Sequence, residues 1–276
     1  MRVMDGILLI DKERGPTSHD VVARVRSETG EWSVGHAGTL DPQATGLLVL
    51  CLGRALKLME FMERHDKEYE AAVRLGRATE TDDAEGRVIS ERDVSGVTRE
   101  AVEAAATKFV GPIRQRPPAF SAVKVEGRRL YRYARAGEKV DAPERTVRVH
   151  AFDLVSFEPP VVRFRVRCAK GTYVRSLARD LGEALGCGGS LEALRRTASG
   201  PFRVEQADPA KLLPPDAGIA DLPEVRLPDD CAGRFAKGQA VAVDPPGPVA
   251  RVYGPAGFLG VGVARDGRLQ PRKVIL

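Results

Sequence analysis

Gly35-His36-Ala37-Gly38-Thr39-Leu40-Asp41-Pro42-Gln43-Ala44-Thr45-Gly46-Leu47-Leu48 is the stretch on which the reading of this chain turns. Its glycines, a proline and small polar residues crowd around one carboxylate and lead into the apolar run Leu47 to Leu52, which reads as a buried strand. Such a sequence makes a rigid loop at the edge of a sheet. Gly35 and Gly38 permit backbone geometry closed to other residues and leave room for close approach to the main chain. Pro42 fixes its own φ and biases Asp41 away from the helical region, so the carboxylate is presented at a bend. On local chemistry alone Asp41 reads as a turn or helix-cap residue and His36 as a loop histidine bonded to backbone.

Toward the N-terminus, Asp5 to Asp11 reads as a short buried strand and Lys12 to Pro16 as a turn. Thr17 or Ser18 caps a helix with Val21, Val22 and Val25 on one face, ended by Gly30. Beyond the loop, Arg54 to Met62 predicts a helix with Leu56, Met59 and Phe61 or Met62 inward. Lys67 to Gly76 alternates, aligning Tyr69, Ala71, Val73 and Leu75 on one buried face. Residues 77 to 97 read as a solvated connection, and Thr98 caps a helix carrying Val102, Ala105, Ala106 and Phe109. The segment 113–143 is the most basic: Arg114, Arg116, Lys124, Arg128, Arg129, Arg132, Arg135 and Lys139, with Tyr131 and Tyr133 among them. Such a run is read either as a solvated face or as a flexible RNA clamp, with cations for phosphate and aromatics for bases.

Two strands follow, Thr146 to Phe157 and Val162 to Cys168. In the second, Arg163, Arg165 and Arg167 project one way, as a row along a phosphate backbone or as an exposed face with acidic cross-strand partners. Val174 to Leu185 keeps helical spacing before Gly186. Arg175 in its first turn opposes the helix dipole and needs another partner. Asp208-Pro209 reads as the start of a short helix. Pro214 to Pro223 mark a boundary, beyond which Val-rich segments indicate a small β-barrel or sandwich.

The chain has 276 residues, 43% hydrophobic and 29% charged, with a formal net charge of +5. That suits a globular protein of one large domain and a small companion. No apolar run approaches the roughly 20 residues that span a bilayer, and the start lacks a signal-peptide layout, so a cytoplasmic location is expected. Cys51, Cys168, Cys187 and Cys231 are scattered, as are the four histidines, which predicts buried free thiols and no metal.

The opening stretch resembles the signature loop of the TruB type of tRNA pseudouridine synthase, Gly-His-x-Gly-x-Leu-Asp-Pro-x-Ala-x-Gly-x-Leu, at every fixed position. Further motifs are similar to the family's in the same order. Asp11-Lys12 with Gly15 and Ser18 matches its start, with Glu13 in place of a proline; Lys67-x-Tyr69 matches its second motif, Lys170-Gly171-Thr172-Tyr173-x-Arg175 its third, and Leu194-x-Arg196-x-x-x-Gly200 its last. Pro117 to Tyr131 resembles the family's thumb loop, and the tail its reduced PUA-type domain.

The resemblance implies an α+β pseudouridine synthase fold: a large mixed, mostly antiparallel sheet flanked by helices, with a catalytic domain over 1–215, a thumb insertion at about 113–143, and a small PUA-like β domain over 222–276. It implies isomerisation of a flipped-out T-loop uridine of tRNA to pseudouridine, by a monomer bound to the T-arm stem-loop, without cofactor or metal. Asp41 is then catalytic; His36 helps push the uridine from its stack, Tyr69 stacks on it, Arg175 pairs with Asp41, Leu194 lines the uracil pocket and Lys12 belongs to the substrate site. Lys124, Arg128, Arg129, Arg132, Arg163, Arg165 and Arg167 are the RNA-binding candidates. The alternative is a non-catalytic RNA-binding or tRNA-folding chaperone on the same scaffold. It has no need of an anion in a cationic cleft. A glycoside-type hydrolase ranks last, because no second acid occupies a comparable loop.

Overall fold

The structure, a computed structural model, describes residues 4–138 and 140–275, so Lys139 of the basic segment lies outside the described residues. The chain forms two compact units. One holds the chain up to Pro42, Gly46–His65 and the stretch from Ser199 onward, and the other holds Gln43–Thr45 and Asp66–Ala198.

The first unit begins with β1 (Gly6–Lys12), α1 (Ser18–Thr29), β2 (Val34–His36) and β3 (Thr45–Leu52). β1 and β2 both run antiparallel to β3, with Leu9 opposite Val49 and His36 opposite Leu50. Thr17 caps α1 in a capping box with Asp20, and Gly30 ends it at φ 71, where its N–H donates to the Arg26 carbonyl. The predicted helix 54–62 is instead a 3-10 segment, Gly53–Leu58, followed by one α turn, α2 (Met59–Met62). Ala55, Leu58 and Phe61 are buried at a spacing of three, the period of a 3-10 helix, while Leu56 and Met59 pack at the margin.

The second unit carries β4 (Lys67–Leu75), β5 (Arg77–Thr79), β6 (Val88–Glu91), α3 (Arg99–Thr107) and β7 (Gly111–Gln115). Next come β8 (Lys124–Val125), β9 (Arg128–Arg129), α4 (Leu130–Arg135), β10 (Arg145–Glu158), β11 (Val161–Cys168), α5 (Val174–Ala184) and β12 (Gly189–Ser199). Its strands lie in the order β12-β4-β11-β10-β7. Val73, Phe164 and Val166 pack into one core with Val102 and Ala106 of α3 and Leu177 and Leu181 of α5. The region 77–97, read as a plain connection, is a β5–β6 hairpin. The basic insertion folds into the β8–β9 ribbon and α4 over a small cluster of Val123, Leu130 and Ala142.

The chain then re-enters the first unit with β13 (Phe202–Arg203), β14 (Leu212–Leu213), β15 (Glu224–Arg226), α6 (Asp229–Ala236), β16 (Val249–Gly254), β17 (Gly257–Arg265) and β18 (Arg268–Val274). No helix starts at Asp208. Its carboxylate accepts from the Ala210 N–H in a turn, and the chain passes into β14, which pairs with β1. The tail is a four-stranded sheet, β15-β16-β17-β18, with α6 packed on it through Phe235, so it is not purely β. Val241 makes a single bridge to Leu269. Val261 and Ile275 join the core of β1 and β3, and Glu60 takes both Arg272 and Lys273, which fastens the small sheet to the rest of this unit. The class is α+β, with antiparallel pairing dominant. Cys51, Cys168, Cys187 and Cys231 are free, and burial pushes the Cys51 and Cys168 thiols up to about 12.

Candidate active site

Asp41 sits between two residues that are each tied down. On one side the Ser18 hydroxyl donates to the Leu40 carbonyl and accepts from the Leu40 N–H, both at 2.9 Å. On the other, the Pro42 carbonyl accepts from Lys12 Nζ at 3.2 Å and from the Gly15 N–H at 2.9 Å. The start of the loop is fixed by the Ala37 N–H donating to the Val49 carbonyl. Gly38 has φ 118, which only glycine adopts without strain. At Gly35 the reason is space: a Cβ there would lie 2.7 Å from Leu56 Cδ2.

Lys12 is 1% exposed. Its ammonium donates to the carbonyls of Glu13 at 2.9 Å and Pro16 at 2.8 Å as well as Pro42, which engages all three of its hydrogens. Burial pushes its pKa down, and the negative charges of Asp41 and Glu13 oppose that push. Lys12 is thus both a cation beside Asp41 and a peg between the 13–16 turn and the loop. Because Glu13 serves the peg through its backbone, its side chain in place of a proline leaves the bracing intact. The His36 ring meets the His19 ring edge-on at 5.4 Å.

Arg175, Tyr69 and Leu194 belong to the second unit. Tyr69 on β4 and Leu194 on β12 are half-buried against the same core. Arg175, 6% exposed, donates to the carbonyls of Thr81 at 3.1 Å and Phe120 at 3.0 Å and lies 3.5 Å from Asp83. These contacts supply partners for a cation placed unfavourably in the first turn of a helix. Asp83, overlooked as part of a solvated loop, is a partner of a site residue. Two adjacent acids in a polar stretch gave no local sign of it.

In the insertion, Lys124, Arg129 and Arg132 are exposed. Arg128 is engaged within it, forked onto Glu138 at 2.9 and 3.0 Å and stacked 4.3 Å over Tyr133. On β11, Arg163, Arg165 and Arg167 are exposed, but Arg165 lies between Glu70 and Asp153 and Arg167 opposite Glu68. The cationic row is therefore interleaved with acids.

Three family descriptions match the chain in tandem: TruB family pseudouridylate synthase (N terminal domain) over residues 26–174, tRNA pseudouridylate synthase B C-terminal domain over 175–212, and Pseudouridine synthase II TruB, C-terminal, over 223–275. The chain belongs to the TruB family of pseudouridylate synthases.

Proteins named tRNA pseudouridine synthase B are 44% identical over 300 aligned positions in Cupriavidus pinatubonensis, covering 99% of this chain and 95% of that protein. The one from Pseudomonas aeruginosa is 42% identical, covering 99% and 97%. Among solved structures, a chain of a Cbf5-Nop10-Gar1 complex superposes with a TM-score of 0.75 at 25% identity, covering 99% of this chain and 85% of that one. As a TruB pseudouridylate synthase the protein is an isomerase. Among the described residues no group of His, Cys, Asp and Glu is arranged to hold a metal, and no helix is long and apolar enough to cross a membrane.

Proposed function

We propose that this TruB-family enzyme converts uridine 55 in the T loop of tRNA to pseudouridine, with Asp41 as its catalytic residue. The observation that carries the assignment is the anchoring of Leu40 and Pro42 on either side of Asp41. A reacting carboxylate must be held to a fraction of an ångström, and fixing both neighbours does this.

The reaction exchanges the nitrogen–carbon glycosidic bond for a carbon–carbon bond within one nucleotide. It consumes no water and has no net redox change, so the chain needs no cofactor. Extracting a base from a folded loop costs a few kcal/mol. Stacking on Tyr69, worth roughly 1 to 3 kcal/mol, and contacts from Lys124, Arg129 and Arg132 offset that cost. His36 keeps the emptied place from closing, and Leu194 gives the base an apolar wall. Asp41 then acts on the ribose, by addition to the anomeric carbon or by removal of the 2′ proton. Both routes require its anion. The buried Lys12 ammonium favours that anion, and the role the family gives Arg175 is to do the same. Arg163, Arg165 and Arg167 add a weaker phosphate-following face, and Arg128 shapes the thumb that carries its neighbours.

In this reading the catalytic domain is 1–215 with its thumb at 113–143, the β domain is 222–276, and the enzyme works as a cytoplasmic monomer on the T-arm stem-loop. Asp41→Asn should lower turnover on an unmodified tRNA transcript by at least about a thousandfold while RNA affinity stays within about twofold. Nucleotide-resolution mapping of pseudouridine, with no cofactor added, reads the first and filter binding the second. Retained turnover would remove Asp41 from the chemistry.

A further inference from the structure

The hairpin that supplies Asp83 to Arg175 also supplies its neighbour to a second arginine. Arg179 Nη1 donates to Asp82 Oδ2 at 2.7 Å, Nε donates to Asp180 Oδ1 at 2.9 Å, and Nη2 donates to the Arg116 carbonyl at 3.0 Å. Arg175 and Arg179 are one turn apart on α5, so their guanidinium groups rise from the same helix face. Consecutive residues of an extended chain point to opposite sides, and two adjacent acids could not both meet that face. Asp82 solves this with φ 60, a left-handed conformation that a non-glycine residue holds only where its surroundings enforce it. The surroundings are visible: its N–H donates to the Thr79 carbonyl, and its carbonyl accepts from the Leu191 N–H at 2.9 Å.

Arg116 is the root of the basic insertion. Its carbonyl has two lone pairs and both are used, one by Arg179 and the other by the Ser176 hydroxyl at 2.9 Å. One residue earlier, the Gln115 side chain bonds the Tyr173 backbone in both directions, at 2.8 and 3.0 Å. Phe120, five residues into the chain from Gln115, is held by Arg175. The first two turns of α5 therefore grip the root. Both arginines also reach out of this grip to the hairpin, Arg175 to the Thr81 carbonyl and Asp83 and Arg179 through a largely buried ion pair whose side chains are 21% and 13% exposed.

We propose that Arg179 and Asp82 are positioning residues for RNA capture: together they form a strut, from the hairpin through α5 to Arg116, that holds the basic insertion in the attitude it needs to close on RNA. The proposal rests on reading the insertion as the RNA clamp. Charge alone does not make the strut. A lysine at 179 keeps the ion pair with Asp82 but has no second branch for the Arg116 carbonyl.

The test compares Arg179→Met, Arg179→Lys and Asp82→Asn with the wild-type chain, using limited trypsin digestion mapped by mass, thermal melting, and steady-state and single-turnover kinetics on a T-arm stem-loop RNA. The expected result for Arg179→Met is faster cleavage within 114–135 with unchanged cleavage elsewhere. Its KM should rise by about tenfold, with the single-turnover rate at saturating RNA preserved, as loss of one charge-assisted tie outside the chemistry requires. Arg179→Lys should recover the melting temperature without recovering protection of the insertion. Asp82→Asn should follow Arg179→Met to a smaller extent, since the guanidinium still reaches Arg116. Unchanged protection of the insertion, protection lost evenly along the chain, or a fall in the saturated rate at constant KM would overturn the strut. An Arg129→Gln, Arg132→Gln double variant run in parallel separates the two readings. If that variant binds RNA normally, the clamp assignment fails, and the cleavage pattern still decides whether the strut exists.

Discussion

The loop around Asp41 and the basic insertion are both glycine- and proline-bounded excursions from a sheet, and they are built on opposite plans. In the loop, residues on each side of Asp41 are tied to α1, to β1 and to the turn after it, and Ala37, Leu40 and Ala44 are buried. In the insertion the buried cluster is three aliphatic side chains, while Lys124, Arg129 and Arg132 stand in solvent. Chemistry on a ribose tolerates little positional error, whereas capture of an RNA backbone rewards charge and reach. One region spends its sequence on pinning a single carboxylate and the other on displaying cations.

The most damaging test of that contrast is Lys12→Met. It keeps the bulk of the side chain and removes a cation and three hydrogen bonds, leaving the Glu13, Pro16 and Pro42 carbonyls without their buried donor. Each such acceptor costs about 1 to 3 kcal/mol, partly relieved by relaxation. Stability to urea should fall by about 3 kcal/mol, and the single-turnover rate at saturating RNA by about a hundredfold, because Asp41 loses both its placement and its counter-charge. A variant that unfolds more easily yet turns over at the wild-type rate would show that the loop does not need its peg.

Lys12 also marks where sequence reasoning stopped. The capping signal at Thr17, the stop at Gly30, the alternation along β4 and β11 and the strand after Gly46 were legible because each depends on neighbours in the chain. The 54–62 segment misled because its apolar residues fit a spacing of three as well as one of 3.6, and only packing chose between them. α6 was hidden by its shortness and by Gly233 within it. The need of Arg175 for a partner could be read from its position against the helix dipole, but its contacts with Thr81, Asp83 and Phe120 could not. Asp83 lies 92 residues upstream by numbering and reaches α5 only through the fold. Sequence offered the chemistry of the loop and withheld the long-range ties that hold it.

The hairpin acids give a second, smaller test, on stability. Burial raises Asp82 from 3.8 to about 6, outweighing the attraction of Arg179 and Arg175. In the unfolded chain the group ionises near its ordinary value. Between about pH 4 and pH 6 the folded protein therefore holds a proton that the unfolded chain has released, so this group's contribution to stability falls as pH rises through that window and is level above it. The full effect is of order 3 kcal/mol. The stability difference between the wild-type chain and Asp82→Asn, from urea titrations, should be larger in the wild-type's favour by about 2 kcal/mol at pH 4.5 than at pH 7. A difference independent of pH would mean that Asp82 ionises at its ordinary value in the fold.

The smallest effects separate cations that look alike in sequence. Replacing Arg129 and Arg132 together with glutamine should weaken T-arm binding by about tenfold and reduce the slope of log affinity against log salt by about 1.5, as expected for two phosphate contacts. Arg128→Gln removes a charge of the same sign from the same ribbon. Its guanidinium, however, is already forked onto Glu138 and stacked on Tyr133. The variant should change the salt slope by less than about 0.5 while loosening the insertion to protease, since the internal pair already neutralises that charge. Arg165→Gln should do less still. In the sheet Arg165 is the register partner of Glu70 on one side and Asp153 on the other, so the net charge this part of β11 offers a phosphate is small and the loss of affinity should stay within about twofold. Equal salt slopes for all three variants would mean that the RNA draws Arg128 away from Glu138 and that the acids beside Arg165 in the sheet do not weaken its pull on phosphate. Capture would then involve rearrangement of the Arg128–Glu138 pair, and exposure and neighbouring charge in the free protein would no longer tell an RNA contact from a structural charge.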